Sequence, residues 1–280
     1  FFFQPHPGIR DSVASRGLGD VYKRQVKEYL SNQEFKWVDT HCHLQLAKHE
    51  FNELDFSNIE YLIIPGVDSK SSIKAKEVTE SLPIKGYWSA GLHPHDAKKL
   101  EEQKSILAEL FLEADLIGET GLDYYRNLSS KDQQIENLKF HLDASRELNK
   151  PIIIHCRDSF EDVYKLVKEY EGDFPIILHS WTGGKKWTRR YLELDIYFSI
   201  SGIVTYDTAK DLQLAVEDIP LEKLLLETDT PYLTPVPKRG EDNQPGFVSY
   251  TAKKVAEIKG VELRELSIHT KQNTDTVLGL

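Results

Sequence analysis

The stretch Pro151-Ile152-Ile153-Ile154-His155-Cys156-Arg157 sets a pattern that recurs along the chain. Three β-branched residues in a row favour a buried strand, and this run ends on a histidine. Short apolar runs end in the same way on metal-binding residues at 39–43, 118–123, 179–180 and 227–229. Parallel strands closed into a barrel gather their carboxyl ends around one mouth. The sequence therefore predicts a barrel whose mouth holds a metal centre, and we expect two metals there.

Strands and helical stretches alternate from residue 36 onward without a domain break. Strands are predicted at about 36–40, 60–66, 85–91, 114–119, 151–155, 175–179, 196–201 and 223–228. The amphipathic stretches between them include 69–81, 103–113, 131–149, 159–170, 185–192 and 208–216. This alternation predicts an α/β protein with a single-domain (β/α)8 TIM-type barrel over residues 36–280. A doubly wound open sheet is the alternative, but it would not gather ligands from the first, fourth, fifth, sixth and last strands.

The first 25 residues share no periodicity with the rest of the chain. Residues 17–25 (GLGDVYKRQ) resemble translated sequencing-adapter sequence. We therefore expect residues 1–25 to be a non-native leader and exclude them from the fold prediction.

Composition narrows the class of protein. No apolar stretch reaches about 18 residues, so no membrane span is predicted. The two cysteines cannot form a disulfide framework, and reduced thiols in a cytoplasmic protein are the simpler interpretation. The net charge of −10 argues against a broad non-specific nucleic-acid surface, although bound cations would change the field that a phosphate meets. Basic residues cluster at 185–190 and 238–239, where they could either rim the mouth or lie on solvated helix starts.

Five strand ends supply the candidate ligands. His41 and His43 are two residues apart, so in a strand both rings would point to the same face. Glu119 would face the mouth, and because its carboxylate has two oxygens it is the candidate bridging ligand. His155, His179 and Asp229 complete the set. The six candidate ligands are therefore His41, His43, Glu119, His155, His179 and Asp229.

Two further residues in these patches are expected to play other parts. Glu227 could orient a ligand or serve as a structural acid. Cys42 lies between the two histidines and should point to the opposite face, so we interpret it as a packing residue. Imidazole nitrogens and carboxylate oxygens without a thiolate suit Zn, Mn, Co or Mg. Two such cations activate a water and stabilise both the attacking and the leaving oxygen, which is what hydrolysis of a phosphodiester bond requires.

From Val38 to its end the chain resembles the TatD family of metal-dependent deoxyribonucleases. The matching stretches are DTHCHL (39–44), GLHPHDA (91–97), IGETGLDYYR (117–126), HCRDS (155–159), HSWTGG (179–184), SGIVTY (201–206), ETDTPYLTPVP (227–237) and NTDTVLGL (273–280). They occur in family order across nearly all of the chain after the leader.

The resemblance implies a TIM-type barrel with two divalent metal ions (Mg, Mn, Zn or Co). It assigns His41, His43 and Asp229 to one metal, His155 and His179 to the other, and Glu119 to both. Asp229 would also be the base toward the attacking water. Positions expected near the substrate are His93, Arg157, Tyr124 and Arg126.

The leading functional hypothesis is a two-metal hydrolase that cleaves phosphodiester bonds of DNA. The family implies 3′–5′ exonuclease action on single-stranded ends, with DNA as the partner, no membrane and no obligate protein partner. The alternative is an ester hydrolase on the same barrel, such as a D-aminoacyl-tRNA deacylase. A non-enzymatic, metal-stabilised binding module is a third hypothesis, and the complete ligand set argues against it.

Overall fold

The computed structural model describes residues 35–47 and 53–280. Within these ranges, Lys36–Leu280 forms one compact unit. The predicted leader at residues 1–25 lies outside the described residues, so its assignment stays a prediction.

The described residues form an eight-stranded parallel sheet in which each strand pairs with the next along the chain. The backbone N–H of Thr40 donates to Leu226 O at 3.0 Å, and that of Asp229 to His41 O at 2.8 Å. These bonds join the first strand to the last, which confirms the TIM-type barrel. The strands are β1 (Trp37–Asp39), β2 (Ile59–Pro65), β3 (Lys85–Ala90), β4 (Leu116–Asp123), β5 (Ile152–Arg157), β6 (Ile176–His179), β7 (Ile196–Ile200) and β8 (Leu224–Leu226).

Helices follow the strands and cover the outside of the barrel. In the described part of the chain they are α1 (Ser69–Ser81), α2 (Leu100–Glu113), α3 (Lys131–Leu148), α4 (Phe160–Lys168), α5 (Gly184–Tyr191), α6 (Lys210–Asp218), α7 (Val248–Lys259) and α8 (Leu263–Leu278). Six of them match predicted stretches, and the structure adds α7 and α8. A short 3-10 helix, Pro94–Lys99, occupies the loop after β3.

Local sequence explains where two of these helices begin. The Asp68 carboxylate accepts the N–H of Ser71 at the start of α1, and Ser130 does the same for Gln133 at the start of α3. In both cases the third helical residue bonds back to the capping residue, which satisfies backbone donors that a helix start leaves unpaired. α3 is followed by Asn149, which takes up a left-handed conformation with φ 52° and caps its carboxyl end.

Strand periodicity carries the ligands to the mouth. Ile153, Ile177 and Leu225 belong to one buried apolar cluster. Side chains two residues apart in a strand share a face, so His155, His179 and Glu227 lie one layer above these apolar residues. The register pairs His155 with His179 across β5 and β6. The apolar cluster thus forms the floor beneath the polar mouth.

β4 differs from its prediction. It was expected to end at residue 119 but continues to Asp123, and its register with β5 shifts between Ile117 and Thr120. The register shift lies around Gly118, whose φ is 114°, and a Cβ there would collide with the carbonyl oxygen of Ile153. Glycine tolerates this conformation and approach. The irregularity allows one strand to present both Glu119 and Asp123 at the mouth.

Candidate metal centre

The six predicted ligands meet at the carboxyl end of the barrel, around the buried carboxylate of Glu119. Its Oε2 lies 3.3 Å from His41 Nε2 and 3.4 Å from His43 Nε2. Its Oε1 lies 3.2 Å from both His155 Nδ1 and His179 Nε2. His93 Nε2 lies 3.4 Å from the same Oε1, so each oxygen of Glu119 faces its own group of imidazoles.

Asp229 closes the His41 and His43 side of this arrangement. Its Oδ1 lies 3.5 Å from His43 Nε2 and 3.8 Å from His41 Nε2. Its side chain is 14% exposed, against 3% for Glu119. Asp229 adopts φ 59°, a left-handed conformation that few non-glycine residues take up. It is therefore the more accessible of the two carboxylates.

In three of the histidines, the ring nitrogen that faces away from the centre has its own contact, which fixes the orientation of the ring. His179 Nδ1 lies 3.2 Å from Glu227 Oε1, and His43 Nδ1 lies 3.1 Å from the carbonyl oxygen of Pro65. His155 Nε2 lies 3.2 Å from Asp123 Oδ2. Glu227 is the acid for which the sequence suggests this orienting part, whereas Asp123 is not among the predicted site residues. The signal was present in the Gly118–Asp123 patch, but the predicted strand end at 119 hid it.

Asp39 is another residue that sequence reasoning did not assign. It is fully buried and accepts bonds from Thr228 Oγ1 at 2.6 Å, Thr228 N at 2.9 Å and His41 N at 3.3 Å. Burial raises the pKa of Asp39 to about 8, against the lowering effect of these donors. Asp39 thus ties the segment carrying His41 to the segment carrying Asp229.

The donor set fits divalent cations. His41 Nε2 and His43 Nε2 lie 3.1 Å apart. In each of three groups of residues, the nitrogen and oxygen ligand atoms all lie within 4.8 Å of one another. These groups are His41, His43 and Glu119; His41, His179 and Asp229; and His93, Glu119 and His155. Nitrogen and carboxylate ligands about 2.0–2.2 Å from a shared ion would be separated by distances of this order. Cys42 Sγ lies 3.5 Å from the Ile63 carbonyl oxygen, so its thiol is directed away from the centre, as predicted.

The charges of the centre agree with this fit. Burial, helped by the charge of His179, lowers the pKa of His41 to about 3, so its ring is neutral and keeps a lone pair. Burial alone would also lower the pKa of His179, but Glu119 and Glu227 outweigh it and raise that pKa well above 6.5, so a cation that bound here would displace a proton from this ring. Burial raises the pKa of Asp229 to about 7 although His179 and His43 oppose it. Carboxylates and imidazoles packed this closely favour a cation between them.

A cleft of about 420 Å³ opens beside the centre. Its lining includes His155, His179 and Asp229 from the centre, together with Tyr125, Arg157, Ser180, Thr182, Ile203 and Leu233. Leu233 belongs to the proline-rich stretch 231–245, which follows β8. Asn243 of that stretch donates to the carbonyl oxygen of Thr228 at 2.8 Å.

The four predicted substrate positions differ in their placement. His93 Nε2 lies 3.4 Å from Glu119 Oε1, and Arg157 lines the cleft. The Tyr124 hydroxyl instead donates to Asp162 at 2.9 Å, and Arg126 is exposed with its backbone N–H on Asp123 Oδ1. The structure thus brings His93 and Arg157 to the site, and the tyrosine that lines the cleft is Tyr125. Two adjacent tyrosines cannot be told apart by sequence alone.

The parallel barrel and the histidines and carboxylates at its carboxyl mouth define the class of protein as a metal-binding (β/α)8 barrel. The sequence pattern of the TatD-related DNase family matches residues 38–279, and the chain belongs to this family. YabD of Bacillus subtilis, an uncharacterized metal-dependent hydrolase, is 35% identical over 246 residues, covering 84% of this chain and 96% of YabD. YcfH of Escherichia coli K12, described in the same words, is 35% identical over 254 residues, covering 84% and 93%.

Solved structures share the fold. The TatD homologue YjjV of Escherichia coli superposes with a TM-score of 0.78 at 22% identity, covering 89% of this chain and all of YjjV. A TatD-family hydrolase of Entamoeba histolytica superposes with a TM-score of 0.77 at 20% identity, covering 88% of this chain and 99% of its own. Within the part of the chain that the structure describes, no helix is long and apolar enough to cross a bilayer.

Proposed function

We propose that this protein is a deoxyribonuclease that hydrolyses phosphodiester bonds of DNA with two divalent cations, shortening single strands from the 3′ end. The observation that carries the proposal is the Glu119 carboxylate: Oε2 faces His41 and His43, and Oε1 faces His155, His179 and His93, all at 3.2–3.4 Å. The name of the family supports DNA as substrate.

In this proposal the ligands divide as the resemblance implies. His41, His43 and Asp229 would hold one cation, His155 and His179 the other, and Glu119 both. Bound cations would lower the pKa of a water and stabilise charge on the phosphate oxygens. Mg, Mn, Zn and Co all suit this nitrogen and oxygen donor set.

The residues around the centre have separate tasks. Asp229 lines the cleft, so its carboxylate can accept the proton that the attacking water loses. Arg157 lines the same cleft and supplies a guanidinium for a phosphate oxygen. His93 Nδ1 accepts the backbone N–H of His95, which leaves its Nε2–H free to donate toward Glu119 Oε1 or a phosphate oxygen. Tyr124 and Arg126 remain candidates for the outer rim.

The test is digestion of a 5′-labelled single-stranded oligonucleotide with Mg²⁺ or Mn²⁺, with and without chelator. We expect a chelator-sensitive ladder that shortens from the 3′ end. Glu119→Ala should abolish it, because the carboxylate shared by both sets of imidazoles is lost, while circular dichroism reports an intact fold. Normal digestion by Glu119→Ala would refute the assignment.

The same preparation tests the alternative of ester hydrolysis. An oligonucleotide that stays intact with metal bound, together with turnover of a D-aminoacyl-tRNA, would favour the deacylase.

A further inference from the structure

Tyr125 is a large aromatic side chain held in the open beside the metal centre. It is 63% exposed, and the Arg157 guanidinium carbon lies 4.1 Å from the centre of its ring. Both residues line the cleft that also contains His155 and Asp229. A cation over the ring face restrains the ring. Tyr125 is therefore an exposed aromatic surface fixed at the entrance to the site.

The neighbouring Tyr124 shows what a structural tyrosine looks like in this loop. Its hydroxyl donates to Asp162, and the Lys131 ammonium lies 4.1 Å from its ring centre. Tyr124 is thereby tied to α3 and α4. The fold thus uses one tyrosine of the pair for anchoring and leaves the other at the cleft.

The cleft offers several kinds of contact side by side. Arg157 supplies positive charge, Tyr125 a flat ring, Ile203 and Leu233 aliphatic surface, and Ser180 and Thr182 hydroxyl groups. A nucleotide carries the complementary set: a phosphate, a flat base and polar groups at the edge of that base. The volume of about 420 Å³ lies in the range of about 300–1,000 Å³ that is usual for small-molecule sites.

We propose that the Tyr125 ring, backed by Arg157, is a stacking platform for the nucleobase of the nucleotide next to the scissile phosphate. This proposal rests on the proposed function, because it assumes that the scissile phosphate binds at the metal centre. Every base has a π-face, so stacking binds bases of any sequence. Tyr125 would thus fix the terminal nucleotide without selecting its base.

The first experiment compares two single-stranded oligonucleotides, one natural and one with an abasic 3′-terminal nucleotide. We expect the wild type to have a kcat/KM about 5- to 150-fold higher for the natural strand, the range that base stacking provides. Tyr125→Phe keeps this preference. Tyr125→Leu loses it, because its rate on the natural strand falls toward its rate on the abasic strand. Leu112→Ala, at an exposed position on α2, is the control and behaves as the wild type.

The second experiment does not depend on nuclease activity. Isothermal titration calorimetry compares thymidine 5′-monophosphate with 2-deoxyribose 5-phosphate on the metal-loaded protein. We expect tighter binding of the nucleotide by the wild type and Tyr125→Phe, and equal binding of the two by Tyr125→Leu.

The two experiments separate the two proposals. If DNA is cut but neither the rates nor the binding depends on Tyr125, the platform is wrong and the nuclease stands. If neither strand is cut and the nucleotide still binds more tightly through Tyr125, the nuclease is wrong, and Tyr125 stacks a base without serving a scissile phosphate. Equal losses by Tyr125→Leu on both strands would also overturn the platform.

Discussion

At the scale of single residues, two carboxylates decide which nitrogen each histidine presents to the centre. Glu227 faces Nδ1 of His179, whose Nε2 points to Glu119. Asp123 faces Nε2 of His155, whose Nδ1 points to Glu119. A neutral imidazole carries one N–H and one lone pair, so a carboxylate that accepts the N–H directs the lone pair inward. The two histidines therefore use opposite nitrogens.

These contacts predict the effect of removing the orienting charges. Glu227→Gln and Asp123→Asn should each weaken metal affinity or activity by about 10- to 100-fold, the usual effect of such partners. Calorimetric titration with Mn²⁺ or Zn²⁺ measures the affinity directly. The control is Glu257→Gln, an exposed carboxylate on α7. Unchanged affinity in both site variants would show that the carboxylates do not orient these rings.

At the scale of elements, α3 holds the loops of the site from behind. Its buried polar residues Gln134, Asn137 and His141 are spaced three and four apart, so they share one helix face. Gln134 Oε1 accepts the N–H of Asp123 at 2.7 Å, and Asn137 Nδ2 donates to Leu92 O at 2.7 Å. This face thus fixes the backbone next to Asp123 and His93.

His141 completes that contact and makes it sensitive to acid. It is fully buried, its Nε2 accepts the N–H of Leu92 at 3.1 Å, and its Nδ1 donates to Asn137 O at 2.8 Å. Burial lowers the pKa of His141 to about 4, against an ordinary value of 6.5, although the bond to Asn137 opposes it. Between about pH 6.5 and pH 4, His141 is therefore protonated in the unfolded chain but neutral in the folded chain.

The sign of the pH effect follows from this difference. The contribution of His141 is complete above about pH 6.5 and is lost as the pH falls toward 4, which costs about 2 kcal/mol between pH 7 and pH 5. Urea unfolding at pH 7 and pH 5 should therefore show a smaller loss of stability for His141→Gln than for the wild type. Both proteins are measured with chelator, so that the other histidines contribute equally. Equal losses in the two proteins would contradict the prediction.

At the scale of the whole molecule, closure of the barrel brings the candidate metal ligands together. The chain at the ends of β1, β4, β5, β6 and β8 brings four histidines and two carboxylates into one centre. The arrangement exists in the folded chain alone, because the ligands are far apart in sequence. Cations that bind it should therefore stabilise the folded state.

Thermal unfolding measures this linkage. Metal at about 100 times its Kd adds about 2.7 kcal/mol, which corresponds to about 5–10 °C in Tm for a chain of this size. We expect a chelator to remove that increase and Glu119→Ala to reduce it. A Tm that is the same with metal and with chelator would show that the centre binds no cation.

Sequence alone determined the barrel, because strand and helix periodicities are local and each apolar run ended on a polar residue. It also placed the candidate ligands at strand ends, since a side-chain period of two fixes which face a residue occupies. Tertiary structure decided the rest. The irregular register at Gly118 and Glu119 brings Asp123 to His155. The packing of α3 and α4 anchors Tyr124 and leaves Tyr125 at the cleft. Asp39 reaches Thr228 across the strands that close the barrel. Each of these contacts depends on register or on packing between segments distant in the chain, and local sequence patterns contain no information about either.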